Sequence, residues 1–310
     1  MEVRGQNRGA DWMSEATQNK DLDILDNYPM RKYLYIKVGG EAKRLVYPRN
    51  MKSFLELLRS CHETGEKVTV LGAGSNTIIT DKGIDGVVIS TRKLKEVHID
   101  GTRVEAECGA MLSSIMNRSI RLGLTGFEFA AGIPGTVGGS IYMNAGANGG
   151  EIKDAVKKVY IWHEGEEKEL SREEINFEYR KSNLPAGAVV TRAVFELRRG
   201  DRGKSEENVR QYLAYRNRTQ PVKMANTGSV FKNPPTVSAG ELLEGLGFKG
   251  LCIGGAKFSE IHANFIVNFN RAKADDIISL IEKARETALR KRNITLEPEV
   301  EIMGREAEAV

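Results

Sequence analysis

Two glycine-rich stretches constrain this chain more than anything else in it: LGAGSN, from Leu71 to Asn76, and GIPGTVGGSIYMNAGA, from Gly132 to Ala147. The first follows the apolar, β-branched run Val68-Thr69-Val70, so it reads as a strand entering a tight turn. Gly72 and Gly74 lack Cβ atoms, which permits positive φ and close approach of a ligand to the backbone. The N–H groups of Gly72, Ala73 and Gly74 can form an anion-binding nest, with Ser75 and Asn76 adding hydrogen bonds. A plain structural turn is the alternative. The second stretch sets Gly132, Gly135, Gly138, Gly139 and Gly146 around Pro134. A packed core gains little from so many glycines, because each costs entropy to order. A large flat or multiply charged ligand running along both stretches is the economical reading. The dinucleotide fingerprint is absent, since Thr77 stands where its third glycine belongs, and no GxxxxGK[ST] loop occurs.

With 310 residues, 40% of them hydrophobic, the chain can build two or three domains with proper cores. It has no apolar run long enough to span a membrane. Residues 1–20 form no apolar signal segment and read as a polar arm, so a cytoplasmic protein is expected. Cys61, Cys108 and Cys252 lie far apart without CxxC spacing, which argues against a disulfide framework and against a metal site. A net charge of +4 suits small anionic ligands and is too diffuse for nucleic acid. A monomer is expected.

Along the chain, YLYIKV (33–38) reads as a strand leading to Gly39-Gly40, followed by a helix from Lys52 to His62. Strands in KVTVLG and GVVIST come next, on either side of an Asp81–Gly86 turn. The second region has a hairpin turning at Asp100-Gly101, a helix from Leu112 to Leu122 and the long glycine stretch. A hairpin at Glu164-Gly165, a capping box at Ser171–Glu174 and a strand in VVTRAVFEL follow. RRGDRGKSEE, Arg198 to Glu207, looks like a linker. Beyond it lie the GSVFKNPP loop, a small helix near Glu241–Leu246, a strand in HANFIVNF and an amphipathic helix over Lys273–Lys291. The tail alternates as a strand, with Ile294, Leu296, Val300 and Ile302 on one face and Glu297, Glu299 and Glu301 on the other.

Several side chains in these segments carry possible chemistry. Tyr179-Arg180 is read as ending a helix, where an arginine suits the dipole; the guanidinium could instead present its fork to a carboxylate or phosphate. Ser229 follows Gly228 with no histidine close in sequence and no GxSxG elbow, which disfavours acyl transfer. It is either a turn hydroxyl bonded to its own loop or a proton donor. Lys232 and Asn233 offer contacts to a phosphate or base, or are simply surface. The tail glutamates pattern as a solvated face, and spacing does not single one out. His262 and Asn264 read as makers of core or turn hydrogen bonds.

KVGG (37–40), LGAGSN, AGIPGTVGGSIYMNAGA, YRKS, GSVFKNP, HANFIVN and LEPEV occur in the order found in the UDP-N-acetylenolpyruvoylglucosamine reductases, and the chain resembles that family from about Lys32 to Gly304. The resemblance implies an α+β protein with an FAD-binding fold of two α/β domains and a third α+β domain for a UDP-sugar. It divides the chain into residues 21–92 and 93–203 with 296–310 for FAD, and residues 204–295 for substrate. It implies non-covalent FAD, reduced by NADPH and reoxidised by the enolpyruvyl group of the UDP-sugar, in peptidoglycan precursor synthesis. Gly72, Ala73, Gly74, Ser75 and Asn76 would cradle the FAD pyrophosphate. Gly132, Ile133, Pro134, Gly135, Val137, Gly138, Gly139, Asn144, Ala145 and Gly146 would pass along the cofactor. Arg180 resembles the arginine that polarises the enolpyruvyl carboxylate, Glu299 its carboxylate partner and Ser229 the proton donor. Tyr179, Lys232 and Asn233 look like substrate contacts. Two departures stand out. Only about fifty residues separate Arg180 from Ser229, leaving no room for the tyrosine-bearing insert of some members. Ile261 replaces the lysine many relatives carry before the histidine. Another FAD-dependent oxidoreductase of the same fold, or a non-catalytic nucleotide-binding module, is the rival reading.

Overall fold

A computed structural model describes residues 20–305; the expected arm lies almost wholly outside them. The described chain forms two compact units. The first contains residues up to Asn27, Lys43–Gly72 and Gly86–Ser205; the second contains Tyr28–Ala42, Ala73–Asp85 and Glu206 onwards.

The first unit carries most of a four-stranded sheet, ordered Leu22–Pro29, Glu41–Pro48, Ile84–Ser90, Val68–Leu71. Its last two strands pair in parallel, Val68 opposite Val87. The helix Met51–Thr64 buries Phe54, Leu57, Leu58 and Cys61, the spacing of one helical face. Asn50 caps its start by accepting from Ser53 N, and Gly65 ends it at φ 70°.

An antiparallel five-stranded sheet runs Glu166–Ser171, Val156–His163, Val189–Glu196, Arg103–Glu107, Val97–Asp100. The short helix Val137–Tyr142, inside the long glycine stretch, packs on its central strand.

The second unit has an antiparallel sheet ordered Ala225–Asn226, Ile266–Asn268, Ala256–Phe258, Cys252–Ile253, on which the helix Ala274–Arg292 packs. That helix buries Ile277, Leu280, Ile281, Ala284 and Ala288. The tail strand Glu301–Met303 pairs in parallel with Thr77–Ile79, on the strand that follows LGAGSN, not with the 93–203 region.

Three sequence expectations are corrected. YLYIKV is not a strand: a 3-10 turn at Met30–Lys32 leads into irregular backbone with Lys37 at φ 61°. The expected linker instead opens an 18-residue helix, Arg202–Thr219, in whose first turn Asp201 Oδ1 accepts from Lys204 N at 2.7 Å. The tail is a strand only over Glu301–Met303, because Pro298 cannot donate to a ladder.

Candidate active site

In the first unit, the strand Val68–Leu71 delivers Gly72 against the long glycine stretch. A Cβ on Gly72 would lie 2.2 Å from Thr136 Oγ1, and one on Gly135 would lie 2.6 Å from Ser140 Oγ. A larger residue at either position would force the Thr136 or Ser140 side chain to shift. Thr136 Oγ1 and Ser140 Oγ are buried with no hydrogen-bond partner among the described residues. Gly132 stands at φ 83°, and Gly132, Ile133, Pro134 and Gly135 are half-buried. The rest of the stretch is more committed. Val137 N donates to Ala110 O at 2.9 Å and Gly138 N to Cys108 O at 2.8 Å, and the Val137 side chain belongs to the core. Gly139 is exposed.

The stretch ends by building a seat for Arg180. Asn144 is fully buried at φ 42°; its Nδ2 donates to Glu151 Oε2 at 3.0 Å and to Glu178 O at 2.8 Å, while Oδ1 accepts from Lys153 N. Gly146 O accepts from Arg180 Nη2 at 2.8 Å, and Glu151 Oε1 lies 3.8 Å from Nη1. A Cβ on Gly146 would meet Glu151 Cγ and Gly150 O at 2.7 Å and Arg180 Nη1 at 3.1 Å. Ala145 is bonded at both ends, its N to Ser140 O and its O to Ile152 N. The side chain of Asn144 is thus bonded within the protein, and Gly146 O helps to seat the arginine.

Arg180 does not end a helix. The helix Arg172–Ile175 stops at Asn176, and Arg180 sits at φ 54° in a turn closed by reciprocal Glu178–Lys181 backbone bonds. Left-handed backbone at a non-glycine residue costs on the order of 1 kcal/mol or more, and such strain gathers at functional sites. The Tyr179 ring lies 5.0 Å from the guanidinium carbon and is half exposed. Glu151, which no sequence motif marked, is the residue sequence reasoning missed; its only local signal is the Gly149-Gly150 turn before it.

In the second unit, Gly74 stands at φ 70°, its O accepting from Tyr35 N, and an added Cβ would meet Tyr33 and Leu34 carbons at 3.1 Å. Ala73 and Ser75 flank it, half-buried. Asn76 is tied to the tail: its Nδ2 donates to Glu299 O at 2.9 Å and its O accepts from Glu301 N. One of the two N–H donors of its side-chain amide is therefore engaged. Ser229 is half-buried after Gly228, which needs glycine for its φ of 81° alone, with open space where a Cβ would point. Val230 O accepts from Glu299 N at 2.7 Å, and Phe231 bridges to Pro298. Ser229 and Glu299 thus stand on two hydrogen-bonded segments. Lys232 Nζ pairs with the exposed Glu297, and Asn233 Oδ1 accepts from Ala239 N, fastening the loop to the next helix. Burial raises the Glu301 carboxyl pKa, opposed by the Lys232 charge. Ile261 is exposed. Among the described residues no helix is long and apolar enough to cross a membrane, and no histidine, cysteine or acidic cluster could hold a metal.

A family model described as UDP-N-acetylenolpyruvoylglucosamine reductase, C-terminal domain, matches residues 220–303, and one described as FAD binding domain matches residues 42–167. The chain is 41% identical over 291 residues to the UDP-N-acetylenolpyruvoylglucosamine reductase of Caldicellulosiruptor bescii, covering 93% of each. It is 41% identical to that of Heliobacterium modesticaldum, covering 94% of each. It belongs to the UDP-N-acetylenolpyruvoylglucosamine reductase family. The crystal structure of the Thermus caldophilus reductase agrees with a TM-score of 0.79 at 33% identity, covering 91% of this chain and 98% of that one. The fold is accordingly the α+β, FAD-binding architecture of the family. The residues present fit that cofactor: beside Gly72 and Gly135 lie two buried hydroxyls, of Thr136 and Ser140, whose hydrogen-bonding capacity a bound polar group would satisfy.

Proposed function

We propose that the protein reduces the enolpyruvyl group of a UDP-N-acetylglucosamine enolpyruvyl ether with NADPH, giving UDP-N-acetylmuramate. The observation that carries this reading is the backbone bonding of the Ser229 segment to the Glu299 segment at Val230. It keeps a hydroxyl-bearing and a carboxylate-bearing residue on adjoining backbone segments, an arrangement suited to delivering a proton to a carbanionic carbon. When bound, FAD supplies the hydride after reduction by NADPH.

The chain's own residues handle charge and proton. Hydride added to one alkene carbon leaves carbanion character on its neighbour, delocalised into the substrate carboxylate. Arg180 holds that carboxylate and stabilises the developing charge, while Glu151 and Gly146 O keep the guanidinium oriented. Ser229 delivers a proton to the carbanionic carbon, and Glu299 acts beside it as the carboxylate of the site. Lys232, Asn233 and Tyr179 contact the UDP-sugar, the first two within residues 204–295. Thr136 and Ser140 hydroxyls bond the cofactor.

Ser229→Ala in the FAD-loaded enzyme tests this. Stopped-flow absorbance should show flavin reduction by NADPH near the wild-type rate and anaerobic reoxidation by the enolpyruvyl substrate slowed by roughly 10²–10⁴. Unchanged reoxidation removes Ser229 from the mechanism. A wild-type protein whose reduced flavin ignores the substrate is a different oxidoreductase of this fold.

A further inference from the structure

Phe231, two residues beyond Ser229, is 1% exposed, and Val230 before it is fully buried. Backbone groups at that depth need partners from within the protein. On one side the tail supplies them: Glu299 N donates to Val230 O, and Lys232 N donates to Glu297 O at 2.9 Å. On the other side, among the described residues, no strand runs alongside. A single residue stands in for one.

Asn264, 3% exposed, accepts from Val230 N through its backbone O at 2.9 Å. Its side chain then takes both polar groups of Phe231: Oδ1 accepts from Phe231 N at 3.0 Å, and Nδ2 donates to Phe231 O at 2.8 Å. A primary amide has the donor and acceptor spacing of a peptide group, so asparagine can replace a ladder partner where the chain has none. The loop that presents it is itself fastened. Ser259 N donates to Phe265 O, Ser259 Oγ accepts from Ile261 N, and His262 Nδ1 accepts from Asn264 N. The neutral ring of His262 is favoured first by burial and then by the Lys249 charge.

We propose that Asn264 is a positioning residue for Ser229: its amide clamps the Phe231 backbone and so fixes where the hydroxyl two residues earlier points. The proposal rests on Ser229 as proton donor, and its action is through the backbone, without contact to substrate or cofactor. Asn264→Ala leaves the Phe231 N–H and C=O unpaired. Asn264→Asp gives a sharper variant. An ionised carboxylate still accepts from Phe231 N but opposes its negative charge to Phe231 O; a protonated one restores both bonds, its O–H donating to that carbonyl.

The test uses the FAD-loaded enzyme, with the two half-reactions measured separately. Asn264→Ala should slow reoxidation by the enolpyruvyl substrate at least about tenfold, a loss of the size expected for a displaced catalytic group, while flavin reduction by NADPH stays near wild type. Hydrogen exchange in the 228–233 segment should accelerate in the same variant. In Asn264→Asp, reoxidation should recover relative to wild type as pH falls from about 8 to about 5.5, the direction of carboxyl protonation. The other titratable groups around the clamp are His262 on its own loop, Lys232 beside Phe231, and Glu297 and Glu299 on the tail. Both enzymes keep these, so the ratio of their profiles removes them. Combined with Ser229→Ala, Asn264→Ala should slow reoxidation little further, because the two act at one point. If Ser229→Ala is slow but Asn264→Ala reoxidises at the wild-type rate, the clamp is overturned alone. An Asn264→Asp profile parallel to wild type overturns it too. A wild-type rate in Ser229→Ala overturns the donor assignment, and the clamp's role with it.

Discussion

At the scale of single residues, the site is set by where a Cβ or a donor can be tolerated. Gly146 is a clear case, with Glu151, Gly150 and Arg180 all crowding the space a methyl would take. Gly146→Ala should push the guanidinium from its seat and slow substrate reoxidation on the order of 10²-fold, as small displacements of a positioning group do. FAD content, measured by absorbance after release, should be unchanged. Arg180→Lys should be equally selective. An ammonium cannot bond Gly146 O and a substrate carboxylate in one plane as the fork can, so a loss of roughly 10²–10³ is expected in the substrate half-reaction alone. Equal loss in both half-reactions would assign Arg180 to holding the flavin. The sequence marked Arg180, Ser229 and the glycines, because their motifs are local. It did not mark Glu151, because nothing local distinguishes an acid that meets its arginine about thirty residues later in the chain.

Between elements, a buried acid joins two of them. Glu128 closes the turn after Leu124–Thr125, accepting from Thr125 Oγ1 and Gly126 N at 2.7 Å, and also receives the hydroxyl of Ser205 from the first turns of the helix Arg202–Thr219. Burial raises its pKa, but the hydrogen bonds from Ser205, Thr125 and the backbone outweigh burial and leave it below the usual carboxylate value. A depressed carboxyl stabilises the fold above its unfolded pKa, about 4.3, and loses that contribution as pH falls through the folded value. Glu128→Gln should therefore lower Tm at neutral pH, with a cost of about 1–3 kcal/mol for the lost charged acceptor. Calorimetry should find the gap between variant and wild type closing below about pH 4, where wild type loses the same charge. A gap that is constant with pH would mean the carboxylate charge contributes nothing. The helix this clasp anchors was unreadable as a helix. Ser205 is its only buried residue, so no apolar stripe marks it, and its glycine and charges imitate a linker.

Over the whole molecule, the three cysteines report on burial. Burial pushes the Cys61 thiol up to about 12 and the Cys108 thiol higher still, whereas Cys252 is exposed. A thiol reagent at neutral pH should modify one cysteine in the native protein and all three after unfolding, since only an accessible thiolate reacts. Modification of Cys61 or Cys108 without unfolding would show that one of these cores opens locally.

What the sequence by itself determined was local. Glycines demanding positive φ or close approach, capping boxes, hairpin turns and amphipathic stripes are written within a few residues of where they act. With the ordered motifs they were enough to indicate the family and its FAD. Only the tertiary structure decided what each polar side chain is bonded to. YLYIKV buries Tyr33, Leu34, Ile36 and Val38 without forming a strand, because burial and extension are separate conditions and only non-local partners supply the second. Asn76, Asn144 and Asn233, each of which reads as a ligand contact, have side-chain groups engaged with the tail, with Glu151 and Glu178, and with Ala239. A hydrogen bond closes wherever the fold brings donor and acceptor within about 3 Å, and the sequence distance between them, 223 residues for Asn76 and Glu299, leaves no trace in either neighbourhood.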